Sequence, residues 1–182
     1  SRDYIGITQS IASVDIRARV KGFLTKMNFI EGKLVKKDQL LFVIDPQPFQ
    51  AKLSLAKGKL SKSIANKEYQ QIQYLRMKEL VAKGDVSKTH FDQVSAQFGE
   101  AVAQVEIDAS EVDVAKINLS YCSMYSPIDG LISHKYVDVG NLVGGLESTL
   151  LANVVKLEPL YVQFSPNVDD FNNFLKYRDN MP

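Results

Sequence analysis

The chain has 182 residues, 45% of them hydrophobic and 24% charged, which are the proportions of a globular protein of one to three small modules. Basic and acidic side chains number 22 and 21, and a net charge of +1 offers no field to a nucleic-acid backbone. Apolar runs are only a few residues long, far short of the roughly 20 that cross a bilayer, and no charged, apolar, small-residue leader opens the chain.

The opening SRDYIGI starts in mid-strand and the final DNMP has no closing element, so the chain is expected to be a fragment with any export signal or lipid anchor outside it. Val14, Ile16, Ala18 and Val20 alternate with charged neighbours, the period of a half-buried strand. Gly22 follows, then a strand stretch from Leu24 to Ile30, the turn Glu31-Gly32-Lys33, and a fully apolar strand from Leu40 to Ile44. Glycine in that turn supplies a positive φ at no steric cost.

Asp45 is placed to cap a helix whose first turn accommodates Pro46. Phe49, Leu53, Ala56 and Leu60, then Tyr74, Met77 and Val81, recur in steps of four and three, a heptad seam. Its middle positions, Ser63, Lys67 and Gln70, are polar and weaken it. Lys83-Gly84 is a helix stop and Ser87 the next N-cap. Phe91, Val94, Phe98, Ala101, Val105, Asp108, Val112, Ala115 and Leu119 form a second seam, broken only by Asp108. Two helices of about 33 residues joined near Gly84-Asp85-Val86 predict an antiparallel coiled-coil hairpin roughly 50 Å long at 1.5 Å per residue. Its flanks are rich in Gln, Ser, Asn and Lys, which suits either a solvated surface or contact with neighbouring copies.

After the hairpin, Pro127-Ile128-Asp129-Gly130 leads to a strand stretch from Ile132 to Val139, the turn Gly140-Asn141 and a closing strand from Leu150 to Val155. This repeats the first segment at a fixed offset of 108: Gly22 falls on Gly130, Gly32 on Gly140, Leu34 on Leu142 and Val35 on Val143. Half-modules of this size do not bury a core alone but do so packed together. Cys122 is the single cysteine; it forms no internal disulfide and reads as a buried small hydrophobe. His90 and His134 lie far apart in this arrangement, the carboxylates are scattered among basic neighbours, and Gly144-Gly145 is too short to cradle phosphate. No catalytic set, metal site or cofactor site is expected.

Two quasi-equivalent halves resemble the biotinyl/lipoyl domain. That family presents a modifiable lysine on the hairpin joining its halves. Here the joint after Val43-Ile44 reads Asp45-Pro46-Gln47-Pro48, and Lys26 in Thr25-Lys26-Met27 lies in the first strand pair instead. A covalent swinging-arm carrier is therefore disfavoured.

With a long helical hairpin replacing that joint, the chain resembles the periplasmic adaptor, or membrane fusion, proteins of Gram-negative tripartite efflux pumps. The resemblance runs through Tyr4-Ile5-Gly6, Val14 to Leu24, Val43-Ile44-Asp45-Pro46, Asn118-Leu119-Ser120-Tyr121, Ser126-Pro127-Ile128-Asp129-Gly130, Glu158-Pro159-Leu160-Tyr161-Val162 and Asp170-Phe171. Members that dock on TolC-like outer-membrane channels carry Arg, then Leu four residues on, then Ser seven further; Arg76, Leu80 and Ser87 have that spacing. Taken singly these are a surface arginine, a seam-adjacent leucine and an ordinary N-cap. Together at a hairpin tip, the arginine supplies a fork of donors, the leucine an apolar knob and the serine a cap that also meets the partner.

The resemblance implies an elongated α+β protein: a split biotinyl/lipoyl-like β-sandwich (14–45 and 122–155), an inserted antiparallel coiled-coil α-hairpin (46–121), and part of a β-barrel domain (1–13 and 156–182). It implies a non-enzymatic adaptor in the periplasm, associated with the inner membrane, with two protein partners, an inner-membrane RND transporter and a TolC-like channel. It also implies self-association as a hexamer. An adaptor of an ABC-type or type I secretion system and a plain coiled-coil scaffold are the alternatives, and hairpin length favours the RND type.

Overall fold

In a computed structural model the described residues are 6–145 and 148–164. The expected matches at Tyr4, Ile5, Asp170 and Phe171 lie outside them.

Ten strands and two helices occur in the order β1 (Gly6–Ser10), β2 (Ser13–Arg17), β3 (Gly22–Met27), β4 (Leu34–Val35), β5 (Leu40–Ile44), α1 (Gln47–Lys83), α2 (Lys88–Ser120), β6 (Ser123–Tyr125), β7 (Gly130–Ile132), β8 (Leu142–Val143), β9 (Leu150–Val155) and β10 (Leu160–Phe164). The strand stretches expected to reach Ile30 and Val139 stop earlier, at Met27 and Ile132.

Two four-stranded antiparallel sheets, ordered β2-β9-β7-β4 and β6-β5-β3-β8, form the base. The halves interlock: each sheet takes its two central strands from one half and its outer strands from the other. The repeat is carried into the pairing itself. Gly22 pairs with Val143, and its counterpart Gly130 pairs with Val35. Leu24 donates its amide to Asn141 (2.9 Å), as Ile132 does to Lys33 (3.1 Å). Gly32 and Gly140 adopt φ of 68° and 97°, as the turns require. Gly22 and Gly130 are glycine for another reason, close approach. A Cβ on Gly22 would meet the Ile44 side chain at 2.5 Å, and one on Gly130 would press into the Val155 carbonyl.

One contiguous core fills the space between the sheets, with Leu24, Leu41, Phe42, Ile44, Ile132, Val143, Leu151 and Val154 essentially solvent-free. Phe29 meets Phe42 edge-to-face at 5.0 Å, a pair worth about 0.5–1.5 kcal/mol beyond its buried area. Leu41 and Phe42 are consecutive yet both buried, as are Leu151 and Ala152. A register shift beside each pair, between Leu40 and Phe42 and between Ile16 and Arg17 on the partner strand, explains this departure from alternation. Cys122 lies in this core, 1% exposed, and burial pushes its thiol pKa up, with a smaller contribution from Asp45.

β1 and β10 form a separate two-stranded antiparallel ribbon, Gly6 opposite Phe164 through Ser10 opposite Leu160, exposing Ile7, Tyr161 and Val162.

Candidate functional site

The hairpin is rooted in the sandwich at both ends. Gln47 donates its amide to Asp45 Oδ1 (3.0 Å), so the aspartate satisfies a free N–H at the start of α1. Phe49 near the start of α1 and Leu119 near the end of α2 pack against the sandwich core. The seam follows the predicted register in both helices: each expected heptad position is buried or half-buried, including the polar Ser63, Lys67 and Gln70. Ser63 turns its hydroxyl to the Leu60 carbonyl (2.9 Å), and buried Asp108 accepts from Gln104 Nε2 (2.9 Å). Towards the tip, Tyr74 lies between Phe91 and Phe98, with ring centroids 5.6 and 5.3 Å away.

The turn is built from helix-end chemistry. Gly84 takes φ 81°, its amide donates to Val81 (3.0 Å), and the Asp85 amide donates to Leu80 (3.0 Å). This pair of hydrogen bonds to the last carbonyls is a Schellman closure, and its left-handed position favours glycine, which has no Cβ to clash. Ser87, extended at φ −71° and ψ 147°, accepts the His90 amide on its Oγ (3.3 Å) and starts α2.

Arg76 and Ser87 are exposed, and Leu80 is half-buried. Arg76 and Leu80 are one turn apart on α1, so they share a face, and the Leu80 carbonyl is held by the turn. Four residues of turn thus separate a helix end bearing Arg and Leu from a helix start bearing Ser. His90 is near this turn, while His134 packs at a tilt against Tyr136 in the sandwich region (4.6 Å between ring centroids), so the histidines do not meet. Among the described residues no group of three or more His, Cys, Asp or Glu is arranged to hold a metal. No helix among them is long and apolar enough to cross a membrane. Lys26 is on β3, paired across to Val43, and not at the joint between the halves.

Sandwich, root and capped tip define a class of protein: a β base from which a coiled-coil arm projects. Residues 12–155 match the family model described as RND MFP, barrel-sandwich hybrid domain. The chain belongs to the RND membrane fusion protein family. It is 37% identical to multidrug resistance protein MdtE of Escherichia coli K12 over 91% of this chain and 43% of MdtE. It is 35% identical to multidrug efflux pump subunit AcrA of the same organism over 91% of this chain and 42% of AcrA. Among solved structures, a MacA-MexA chimeric protein containing the Pseudomonas aeruginosa MexA α-hairpin domain superposes with a TM-score of 0.64. It is 29% identical, with 94% of this chain and 59% of that chain covered. The chain spans less than half the length of the two curated relatives.

Proposed function

We propose that this chain is the hairpin-bearing part of a periplasmic adaptor subunit of a tripartite RND-type multidrug efflux pump. The adaptor bridges an inner-membrane RND transporter and a TolC-like outer-membrane channel. The observation that carries this reading is the tip: Arg76, Leu80 and Ser87 at the closed end of a two-helix arm, in a chain of this family. Arg76 presents a planar fork of donors to carbonyls or carboxylates of the channel's periplasmic end, and Leu80 adds an apolar contact on the same face. A single tip buries too little surface for tight binding, so several copies, six by family resemblance, acting together give the affinity.

The sandwich is read as a split lipoyl-like module, 14–45 with 122–155, that has lost the carrier lysine and gained the hairpin 46–121 at its joint. The β1–β10 ribbon is read as the beginning of a β-barrel domain shared by 1–13 and 156–182. Exposed Ile7, Tyr161 and Val162 support this, because an isolated two-stranded ribbon is marginal until further strands cover its apolar face. The adaptor works by contact and sealing rather than by catalysis, in the periplasm against the inner membrane.

The test uses the full-length protein with Arg76→Glu or Leu80→Ser. Both variants are expected to fold, by circular dichroism, and to lose co-purification of the outer-membrane channel along with drug resistance. Full resistance and undiminished channel capture in both variants would remove the tip from the mechanism.

A further inference from the structure

The repeat at offset 108 also makes β2 and β6 counterparts: Asp15 falls on Ser123, Ile16 on Met124 and Arg17 on Tyr125. Each is an edge of its own four-stranded sheet, and no strand pairs beyond either edge among the described residues. Their backbones match as well. Ala18 donates its amide inward to Thr149, and Ser126 donates inward to Gln39, both at 2.9 Å. Peptide groups alternate sides along a strand, so those of Asp15 and Arg17 on β2, and of Ser123 and Tyr125 on β6, turn outward. Both edges open on one cleft of about 790 Å³, with buried Ile16 and Met124 in its lining.

The two quasi-equivalent walls have diverged in chemistry. Arg17 is engaged on the β2 wall, donating to Asp15 Oδ2 (3.0 Å) and to the Ser148 carbonyl (3.2 Å). Arg19 is exposed, lies over the Tyr121 ring at 5.2 Å and has no carboxylate partner among the described residues. The β6 wall has no charge; it carries Tyr121, Ser123 and Tyr125, and the counterpart of Arg19 is Pro127. Asp15 offsets Arg17, so the cleft keeps one uncompensated positive charge, at Arg19.

We propose that this cleft is a strand-addition site for an extended acidic peptide of a partner protein. The peptide pairs its main chain with β2, the longer edge at five residues against three, and one of its carboxylates receives the donor fork of Arg19. Main-chain pairing supplies affinity and the side-chain positions supply selectivity. From Val14 to Arg19 the wall runs roughly 20 Å at about 3.3 Å per residue, which fits a strand of about six residues. The lining chooses the occupant. A free anion satisfies Arg19 but leaves the outward peptide groups of β2 to water, and a neutral peptide does the reverse. An acidic strand satisfies both. This site lies beyond the hairpin and does not depend on docking at its tip.

The test uses the full-length protein and a capped, fluorescein-tagged hexapeptide in which Val alternates with Glu. Anisotropy should show micromolar binding, and hydrogen exchange should slow at residues 15 and 17. Arg19→Gln, at an exposed position, should keep the melting temperature and weaken binding about tenfold. Replacing Glu by Gln in the peptide should cost the same against the unmodified protein and little more against Arg19→Gln, because the two changes remove one contact. Methylating alternate peptide nitrogens should abolish binding, and this arm leaves the protein untouched. Absence of binding, or equal binding of the methylated peptide, would overturn the site. Displacement by free glutamate at matched concentration would reduce it to a simple anion contact and overturn the strand. Slowed exchange at 15 and 17 that grows with protein concentration, without peptide, would give the cleft to a second copy and overturn the peptide assignment.

Discussion

Ile44 donates its backbone amide to the carbonyl of Cys122 at 2.8 Å, joining the two ends of the hairpin at its root. The strand that enters the arm and the strand that leaves it are therefore neighbours in one sheet, β5 beside β6. The arm is an insertion at a single point of a β module that is closed without it.

Deleting residues 47–118 and bridging the gap with a short flexible linker should leave a folded, monomeric sandwich. The buried core residues all lie outside the deleted segment, which removes only the packing of Phe49 against them and leaves Leu119 in place, and the linker spans only adjacent strands. A cooperative thermal transition with a β-type circular dichroism spectrum checks this, and an unfolded product would mean the halves are wrongly assigned.

Gly130→Ala should destabilise the sandwich more than Gly22→Ala. The added methyl at 130 meets the Val155 backbone, which gives only if the strand moves, whereas at 22 it meets only side-chain atoms, the Cγ2 methyl of Ile44. Overpacking of this kind costs about 1–3 kcal/mol. Chemical denaturation midpoints of the two variants give the order.

Ser87→Ala should loosen the tip without unfolding the arm. It leaves the His90 amide without its acceptor, and loss of an N-cap costs about 0.5–2 kcal/mol. Hydrogen exchange at residues 88–91 should speed up while that of the helix roots stays unchanged.

Asp108→Leu should stabilise the hairpin. The side chain is 7% exposed on the seam and accepts a hydrogen bond from Gln104 of its own helix, and a packed apolar group at that position removes the cost of burying a polar side chain. A higher melting temperature is the expected reading, and a lower one would show that the carboxylate holds the register.

Cys122 should resist alkylation until the sandwich opens. Burial raises its thiol pKa, so the reactive thiolate is scarce below the raised value, and the sulfur has no access to solvent. Labelling rates that track global unfolding through a denaturant series are expected, and fast labelling of the native protein would contradict the described core.

The heptad register was legible residue by residue, because period 3.5 with apolar side chains is a local signal, and even Ser63 and Asp108 kept their places in it. The repeat was legible through its glycines. The interleaving of the halves was not: Leu34 and Leu142 read identically whether their strands join their own half or the other. A fixed offset also loses the closing strands, where the correspondence becomes Leu41 with Leu151 and Ile44 with Val154, two residues further on. The docking role proposed for Arg76 rests on spacing, since an exposed arginine has no local signature that separates a docking group from a solvated one.

Because both roots of the arm sit in adjacent strands of one sheet, the sheet acts as a steering plate. A helix of 37 residues reaches about 55 Å at 1.5 Å per residue. A tilt of about 5° at the plate sweeps its far end by about 5 Å, close to one helical pitch. Small adjustments of β5 against β6 are thereby magnified into displacements of the tip on the scale of a full helical turn.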